Sequence, residues 1–264
     1  MADTLRIVLL GKTGCGKSSL ANTILGKDVF EVKNFTSSAV THCQAETQQV
    51  HDWSLTVVDT PGFFHSGLSE KEQKRQIERC TSECAPGPHA FLLVLKVEKF
   101  TEQERRVVRI IQECFSAEVF KYSTVVFTHG DQLAEDMKIE EFVGKNQQLK
   151  DLVEKCGGRC HVVDNKYWKN QQDEVRNNRF QVQQLLNTVR KMVTENHGGC
   201  YGTKMLQDWQ KQNQQPVVRR LFQTVMTYVR PVFIFSVIIL GIITWKRWGG
   251  QPTEINKDQI IGLD

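Results

Sequence analysis

One glycine-rich stretch near the amino terminus constrains the fold of this chain more than any other feature. Residues 11–18 read Gly-Lys-Thr-Gly-Cys-Gly-Lys-Ser, and they follow an apolar run, residues 5–10, that is typical of a buried strand. Residues 19–25 then place apolar side chains at helical spacing. This glycine spacing between a strand and a helix is the pattern of a phosphate-binding loop. A turn that matches by chance is the alternative, and the flanking strand and helix disfavour it.

The polar groups of this loop have chemical roles in that interpretation. Glycines let successive backbone N–H groups point inward and bind an anion, and the helix start adds its positive dipole end. Lys17 would reach the β- and γ-phosphates, while the Ser18 hydroxyl would ligate Mg²⁺. The predicted phosphate contacts are Gly11, Lys12, Thr13, Gly14, Cys15, Gly16, Lys17, Ser18 and Ser19.

A second loop supplies the remaining predicted phosphate and metal contacts. Residues 55–58 are typical of a buried strand and lead into Asp-Thr-Pro-Gly at residues 59–62. Asp59 would hold Mg²⁺ through water, and the Gly62 N–H would bond the γ-phosphate. An ordinary turn is the alternative. Thr41 is the candidate for a switch threonine that closes on Mg²⁺ and the γ-phosphate, against a plain loop threonine.

The end of a later strand favours guanine as the base. Residues 122–127 form an apolar strand that is followed by Thr128, His129 and, two positions further, Asp131. In guanine-specific GTPases an aspartate at this place accepts hydrogen bonds from N1–H and the N2 amino group of guanine, a donor pair that adenine lacks, so Asp131 predicts a preference for guanine. Thr128 and His129 stand where guanine-specific GTPases usually have Asn and Lys. Asn165 is the candidate contact to guanine O6. Ordinary turn residues are the alternative for Asp131 and Asn165.

Strands and helices alternate along this part of the chain. Helices are predicted over residues 69–84, 140–155 and 175–193, and a capping box at 101–104 begins another. Residues 43–50 alternate weakly and suit an edge strand. The predicted fold class is therefore α/β, with a mostly parallel sheet and helices on both faces.

The composition fits a globular protein, with 40% apolar and 24% charged residues among 264. The net charge of +4 is too weak to indicate nucleic acid as a partner, although it is compatible with an anionic membrane surface. The sequence contains 8 cysteines, and its first residues do not resemble a signal peptide. We therefore expect a cytosolic chain with reduced thiols. The pairs Cys80/Cys84 and Cys156/Cys160 lack a convincing zinc spacing.

The carboxy-terminal part has a different composition. No charged residue occurs between Arg230 and Lys246, a run slightly short of the ~17–25 residues of a usual membrane helix. Trp245 and Trp248 suit a membrane interface. A buried core helix is the alternative, but nothing amphipathic remains to cover an apolar helix after the α/β domain closes. The predicted divisions are a nucleotide-binding domain (1–197), a polar linker or helix (198–229), a transmembrane anchor (230–248) and a short tail (249–264).

These motifs resemble the GTPases of the immunity-associated protein (GIMAP) family, also called AIG-type GTPases. The most distinctive similarity lies in residues 84–95, Cys-Ala-Pro-Gly-Pro-His-Ala-Phe-Leu-Leu-Val-Leu, followed by Phe-Thr-Glu-Gln-Glu at 100–104. The resemblance covers about residues 5–195. It implies GTP or GDP with Mg²⁺ as ligands and pairing through the nucleotide face, with itself or with related GTPases.

The resemblance also implies a location, because several family members end in a hydrophobic membrane anchor. We therefore expect an anchored protein with its nucleotide-binding domain in the cytosol, where GTP is found. The short apolar run suits a thin bilayer, such as that of the ER or the mitochondrial outer membrane.

Two departures from related enzymes bear on hydrolysis. Phe63 stands where Ras-like enzymes place a water-orienting glutamine, and Lys99 stands where many relatives carry arginine. Lys99 and Thr41 are the catalytic candidates, and we expect slow, dimer-dependent GTP hydrolysis. A GTP-loaded scaffold that oligomerises on a membrane and turns over little stays open as the alternative. A P-loop ATPase is a third hypothesis, which Asp131 disfavours.

Overall fold

A single sheet of six strands organises the structure, a computed structural model that describes residues 4–32, 43–50, 53–62, 69–82, 84, 86–168 and 176–202. These residues belong to the first of two units in the chain, Met1–Trp209; the second, Gln210–Asp264, lies outside them. The predictions for Thr41, Phe63, the anchor at 230–248 and the tail at 249–264 also lie outside the described residues.

The sheet has the strand order β2-β3-β1-β4-β5-β6. The strands are β1 (Leu5–Leu10), β2 (Gln44–Val50), β3 (Trp53–Asp59), β4 (Ala90–Lys96), β5 (Ser123–Thr128) and β6 (Cys160–Val162). Strand β2 pairs antiparallel with β3 at one edge, and every other pair is parallel. The prediction of a mostly parallel sheet is confirmed.

Helices follow the strands as expected, with two differences in extent. They are α1 (Lys17–Leu25), α2 (Glu70–Ser82), α3 (Glu102–Phe115), α4 (Ile139–Gly144), α5 (Gln147–Lys155) and α6 (Asn178–Glu195), with short 3₁₀ turns at Ala117–Tyr122 and Gly130–Gln132. The single helix predicted over 140–155 is wrong, because Asn146 is extended and caps a new helix by accepting from the Leu149 N–H at 3.1 Å. The last helix begins after its own cap, Asn177.

The two faces of the sheet bury separate apolar clusters. Along β1, Ile7 and Leu9 face the cluster that includes α1 and α6, while Val8 and Leu10 face the cluster that includes α3, α4 and α5. All four side chains are fully buried. This alternation is the period of two expected of a strand covered on both sides, so the prediction of helices on both faces is confirmed.

The chain just after α6 returns to the core. Tyr201 is fully buried, its hydroxyl donates to the Phe115 carbonyl, and its N–H donates to the Pro88 carbonyl at 2.7 Å. Its ring lies 5.4 Å from that of Phe91 and 5.6 Å from that of Tyr122, both edge-to-face. Tyr201, which lies in the segment predicted as a linker, thus packs with the domain.

Two cysteines differ from the expectation of reduced thiols. Cys43, before β2, and Cys80, in the last turns of α2, form a disulfide with Cα atoms 5.7 Å apart. Such a pairing needs both elements in place, which spacing along the chain does not predict. Among the described residues, no group of His, Cys, Asp and Glu side chains forms a metal site, and no helix combines the length and apolar character needed to cross a membrane.

Candidate nucleotide-binding site

The glycine-rich loop connects β1 to α1, as predicted. Gly14 and Gly16 adopt positive φ angles of 76° and 89°, which glycine tolerates without a steric cost. Gly16 is also the N-cap of α1, so no side chain occupies the first-turn N–H groups and the helix start is left for an anion. Gly11 allows close packing, because a Cβ there would lie 2.5 Å from the Val94 carbonyl oxygen.

The cationic and hydroxyl groups of the loop meet the aspartate at the end of β3. Lys17 is buried, and its ammonium donates to the carbonyls of Gly11 and Lys12, each at 3.2 Å. The Ser18 hydroxyl donates to Asp59 Oδ2 at 2.5 Å. Burial raises the pKa of Asp59, while the charge of Lys17 and the Ser18 hydrogen bond act in the opposite direction.

This arrangement fits a divalent cation. Asp59 is fully buried, and its second oxygen, Oδ1, forms no hydrogen bond with any described residue. An unsatisfied buried carboxylate oxygen is costly, and a hydrated Mg²⁺ would satisfy it. Ser18 and Asp59, both predicted as metal contacts, are therefore together, whereas the third, Thr41, lies outside the described residues.

The loop after β3 packs directly on the phosphate loop. A Cβ at Gly62 would lie 2.5 Å from Thr13 Cα and 2.6 Å from Thr13 N, so only glycine fits without a backbone shift. Thr60 holds the loop by donating its hydroxyl hydrogen to the Leu9 carbonyl at 2.6 Å. Gly62, predicted to contact the γ-phosphate, is thus adjacent to the loop that would hold that phosphate.

Lys12 has side-chain partners that the sequence did not indicate. Its ammonium forms ion pairs with Glu98, at 2.8 Å, and with Glu104 in the first turn of α3. Burial lowers the pKa of Lys12, but the hydrogen bonds to Glu104 and Glu98 outweigh it and raise that pKa. Lys99, the predicted catalytic lysine, is exposed and follows Glu98 directly. The ion pair between Lys12 and Glu98 therefore holds the segment that carries Lys99 beside the phosphate loop.

A depression separate from the phosphate loop lies at the carboxyl ends of β5 and β6. It has a volume of about 280 Å³ and is lined by His129, Asp131, Asp164, Asn165, Lys166 and Tyr167. It contains three of the residues predicted to contact guanine, His129, Asp131 and Asn165. His129 has a left-handed backbone, with φ 60°, which aims the chain from β5 into the 3₁₀ turn that carries Asp131.

Thr128 does not line the depression, and its hydroxyl contacts the protein backbone instead. It is fully buried, and its hydroxyl lies 2.8 Å from the Cys15 carbonyl oxygen and 3.2 Å from that of Leu95. It also lies 3.0 Å from His129 Nδ1. This predicted base contact therefore joins the end of β5 to the phosphate loop.

Asn165, which lines the depression, also lies close to the phosphate loop and to α1. Its Oδ1 accepts from the Thr23 hydroxyl on α1 at 2.9 Å, and its Nδ2 lies 3.3 Å from the position of a Cβ on Gly16. Asp164, Lys166 and Tyr167 also line the depression, and the sequence did not indicate them as base contacts. The aspartate after β6 was visible in the sequence, but its contacts come from other loops.

The phosphate loop, the buried aspartate after β3 and the depression after β5 and β6 all lie at the carboxyl ends of parallel strands, where ligands bind in open α/β sheets. This fold and site define a P-loop GTPase domain. The profile of the AIG1 family matches residues 5–220, and the chain belongs to this family.

Relatives agree with that assignment. The chain is 37% identical over 199 residues to human GTPase IMAP family member 8, a match that covers 75% of this chain and 29% of that protein. It is 33% identical over 210 residues to Arabidopsis thaliana immune-associated nucleotide-binding protein 9, covering 78% and 60%. The chain thus spans less than two thirds of the length of either relative.

Solved structures share the fold. Toc33 from Arabidopsis thaliana in complex with Mg²⁺ and GMPPNP matches with a TM-score of 0.59 and 18% identity, covering 74% of this chain and 86% of that one. Era in complex with MgGDPNP and a ribosomal RNA segment matches with a TM-score of 0.53 and 14% identity, covering 73% and 57%. These similarities concern the fold alone.

Proposed function

We propose that this chain binds GTP and GDP with Mg²⁺ and hydrolyses GTP slowly. The observation that carries the proposal is the buried Asp59 carboxylate, with one oxygen on the Ser18 hydroxyl and the other unpaired among the described residues, beside the Lys17 ammonium. Mg²⁺ bound there would neutralise phosphate charge. Membership of the AIG1 family and the Mg²⁺ complexes of Toc33 with GDP and GMPPNP support these ligands.

Guanine is the proposed base because Asp131 lies in the depression at the end of β5. A carboxylate there would accept both guanine donors, whereas adenine would leave it unpaired. The competing hypothesis of an ATPase is tested by displacing labelled GDP with unlabelled GTP or ATP. GTP should compete far more strongly, and equal competition would contradict the role of Asp131.

Hydrolysis is proposed to depend on pairing of two chains through the nucleotide face. Phe63 offers no group that could orient water, and Ras alone reaches only ~10⁻⁴ s⁻¹ even with its glutamine. Lys99 is exposed next to Glu98, which contacts the phosphate loop, so a partner could receive this ammonium at its γ-phosphate. Dimerisation is stated to be important for the GTPase activity of atToc33 and psToc159, which share this fold, and this supports the proposal.

The test is GTP turnover per molecule at several protein concentrations. We expect turnover to rise with concentration but to stay low, because lysine offers a point charge instead of the planar fork of arginine. Lys99→Arg should raise it and Lys99→Ala should lower it. Lys191 on α6 is another exposed lysine, so Lys191→Ala is the matched control. This variant should change neither the turnover nor its dependence on protein concentration. Rapid turnover independent of concentration would show that a catalytic group acts within one chain.

A GTP-loaded membrane scaffold is the second candidate, favoured by the uncharged run between Arg230 and Lys246. We propose that residues 230–248 anchor the protein after a polar linker, with the nucleotide-binding domain in the cytosol. Deleting residues 229–264 should move the protein to the soluble fraction. A truncated protein that still resists carbonate extraction would place the anchor elsewhere. Absence of phosphate release at every concentration would favour the scaffold over the enzyme.

A further inference from the structure

Lys12 joins the phosphate loop to the start of α3 through its side chain. Its ammonium lies 2.8 Å from Glu98 Oε1 and also pairs with Glu104, whose side chain is only 5% exposed. The Lys12 carbonyl oxygen accepts from the Lys17 ammonium at 3.2 Å. One residue of the loop therefore contacts both the lysine that would bind phosphate and two carboxylates outside the loop.

Glu104 is fixed from a second side by the cap of α3. Its Oε2 accepts from the Thr101 N–H at 2.9 Å and from the Thr101 hydroxyl, and Thr101 is the N-cap residue. Burial would raise the pKa of Glu104, but hydrogen bonds from Lys12 and Thr101 outweigh it and lower that pKa. The carboxylate is therefore ionised beside the ammonium, and removing one charge of such a pair leaves the other uncompensated.

The segment that carries Lys99 is held on both sides. Val97 before it and Phe100 after it are buried in the same apolar cluster. Between them, Glu98 and Lys99 are exposed, and the Glu98 carboxylate is the one that pairs with the phosphate loop. The path of the backbone at Lys99 therefore depends on how residues 97–101 are attached to that loop and to α3.

We propose that Glu104 is a positioning residue for GTP hydrolysis, which holds residues 97–101 against the phosphate loop through Lys12 so that Lys99 faces a paired chain. The proposal rests on the proposed function, in which Lys99 acts on the nucleotide of that chain. Glu104 itself would touch neither the nucleotide nor the attacking water. Its effect comes from geometry, because a misplacement of about 1 Å can lower a rate ~10²-fold.

A purely structural role of Glu104 is the competing explanation. As the N3 residue of a capping box, Glu104 would stabilise α3 whether or not Lys12 were present. That role predicts a loss of stability that weakens nucleotide binding and turnover together, whereas positioning predicts lower turnover with unchanged affinity for GDP. The ion pair with Lys12 is not part of the capping box, so removing only the charge separates the two roles.

The test compares Glu104→Gln with Glu102→Gln in the 264-residue chain. Glutamine retains the length of the side chain and an oxygen for the Thr101 N–H, but it loses the charge that pairs with Lys12. Glu102 is the matched control, because it lies in the same first turn and its ion pairs are with arginines of α3 itself. Glu104→Gln should lower the turnover at high protein concentration ~10-fold and leave the dissociation constant of GDP unchanged, and Glu102→Gln should change neither.

A double variant shows whether Glu104 acts through Lys99. Glu104→Gln in the Lys99→Ala background should cause no further loss, because a misplaced lysine and an absent one are equivalent at the nucleotide of the paired chain. Losses that multiply would overturn the proposal and assign Glu104 to the stability of α3 alone. A fall in GDP affinity that matches the fall in turnover would overturn it as well.

Amide hydrogen exchange of residues 97–101 gives a readout that does not depend on hydrolysis. Loss of the pairing charge should speed exchange in this segment ~10-fold in Glu104→Gln and leave it unchanged in Glu102→Gln. Equal exchange in the two variants would overturn the positioning role. If instead Lys99→Ala leaves turnover unchanged, the proposed catalytic role of Lys99 fails, and the exchange rates still decide whether Glu104 holds the segment.

Discussion

The two ends of the nucleotide site are built in different ways. The phosphate end centres on one continuous stretch, residues 11–18, whose shape comes from the backbone at Gly14 and Gly16 and whose charge comes from Lys17, and the end of β3 adds Asp59. The base end is assembled from two loops, and its residues bind one another as well as any ligand. The Asp131 N–H donates to Asp164 Oδ2, and Asn165 Oδ1 accepts from the Thr23 hydroxyl on α1.

The difference shows where each end is vulnerable. At the phosphate end, a change should act on binding energy directly, because Lys17, Ser18 and Asp59 bond to groups within the same two loops that would hold the phosphates. At the base end, a change should act on the choice of base, or on the phosphate loop through Thr128. The following predictions test that division, beginning with the largest expected effect.

Removing the Lys17 ammonium should produce the largest loss. Lys17→Met retains most of the apolar stem but removes the charge that would reach two phosphates. At ~1.5–3 kcal/mol for each charged hydrogen bond, GTP affinity should fall ~10²- to 10⁴-fold. Titration with a fluorescent GTP analogue measures it. Because no base contact is involved, GTP and ATP should weaken together; retained affinity would contradict the phosphate-loop assignment.

Asp131→Asn should change the base preference without damage to the phosphate end. Loss of the charged acceptor should weaken GDP binding by ~10- to 100-fold, from ~1.5–3 kcal/mol. The new amide N–H can donate to the 2-carbonyl of xanthine, so XDP should gain affinity while ADP stays constant. Competition of the three diphosphates measures the pattern. A uniform loss for all three would mean that Asp131 serves the fold and not the base.

Gly62→Ala tests the contact between the two phosphate-end loops. Its Cβ would collide with the Thr13 backbone, so one loop must shift, at a cost of ~1–3 kcal/mol in the free energy of unfolding. Denaturant unfolding and GTP affinity should both report it. Gly144→Ala is the matched control, because a Cβ there meets nothing within 4 Å. If both variants behave alike, Thr13 and Gly62 are not held against each other.

Thr128→Val should give the smallest effect and the most informative one. The swap preserves shape but removes the hydroxyl near the Cys15 carbonyl, a bond worth ~0.5–1.5 kcal/mol. GDP and ADP should weaken by the same ~2- to 12-fold, because the phosphate loop loses support. Thr128→Ser should restore most of the affinity. A loss confined to GDP would show that Thr128 contacts the base.

Local patterns predicted the mostly parallel sheet and the glycine-rich loop between β1 and α1. Glycine spacing and apolar periodicity depend on neighbours within a few residues, so sequence reveals them. The break at Asn146 was missed because one capping residue hardly disturbs a helical apolar pattern. The family assignment from residues 84–95 is confirmed by the AIG1 match.

Contacts between distant segments were not predictable. Lys12 pairs with Glu98, and Asp164 accepts from the Asp131 N–H, although these pairs lie 86 and 33 residues apart. The disulfide between Cys43 and Cys80 has the same character. Each depends on where complete strands and helices place their ends, and no local periodicity encodes that.

Tyr201 determines how the domain would respond to a mechanical load. Its partners Pro88, Phe91 and Tyr122 lie at the amino ends of β4 and β5, opposite the phosphate loop at the carboxyl end of β1. Tension on the chain beyond residue 202 would act first on this buried ring and must extract it before it strains the sheet. The nucleotide and a pulling force would therefore act at opposite ends of the parallel strands of the sheet.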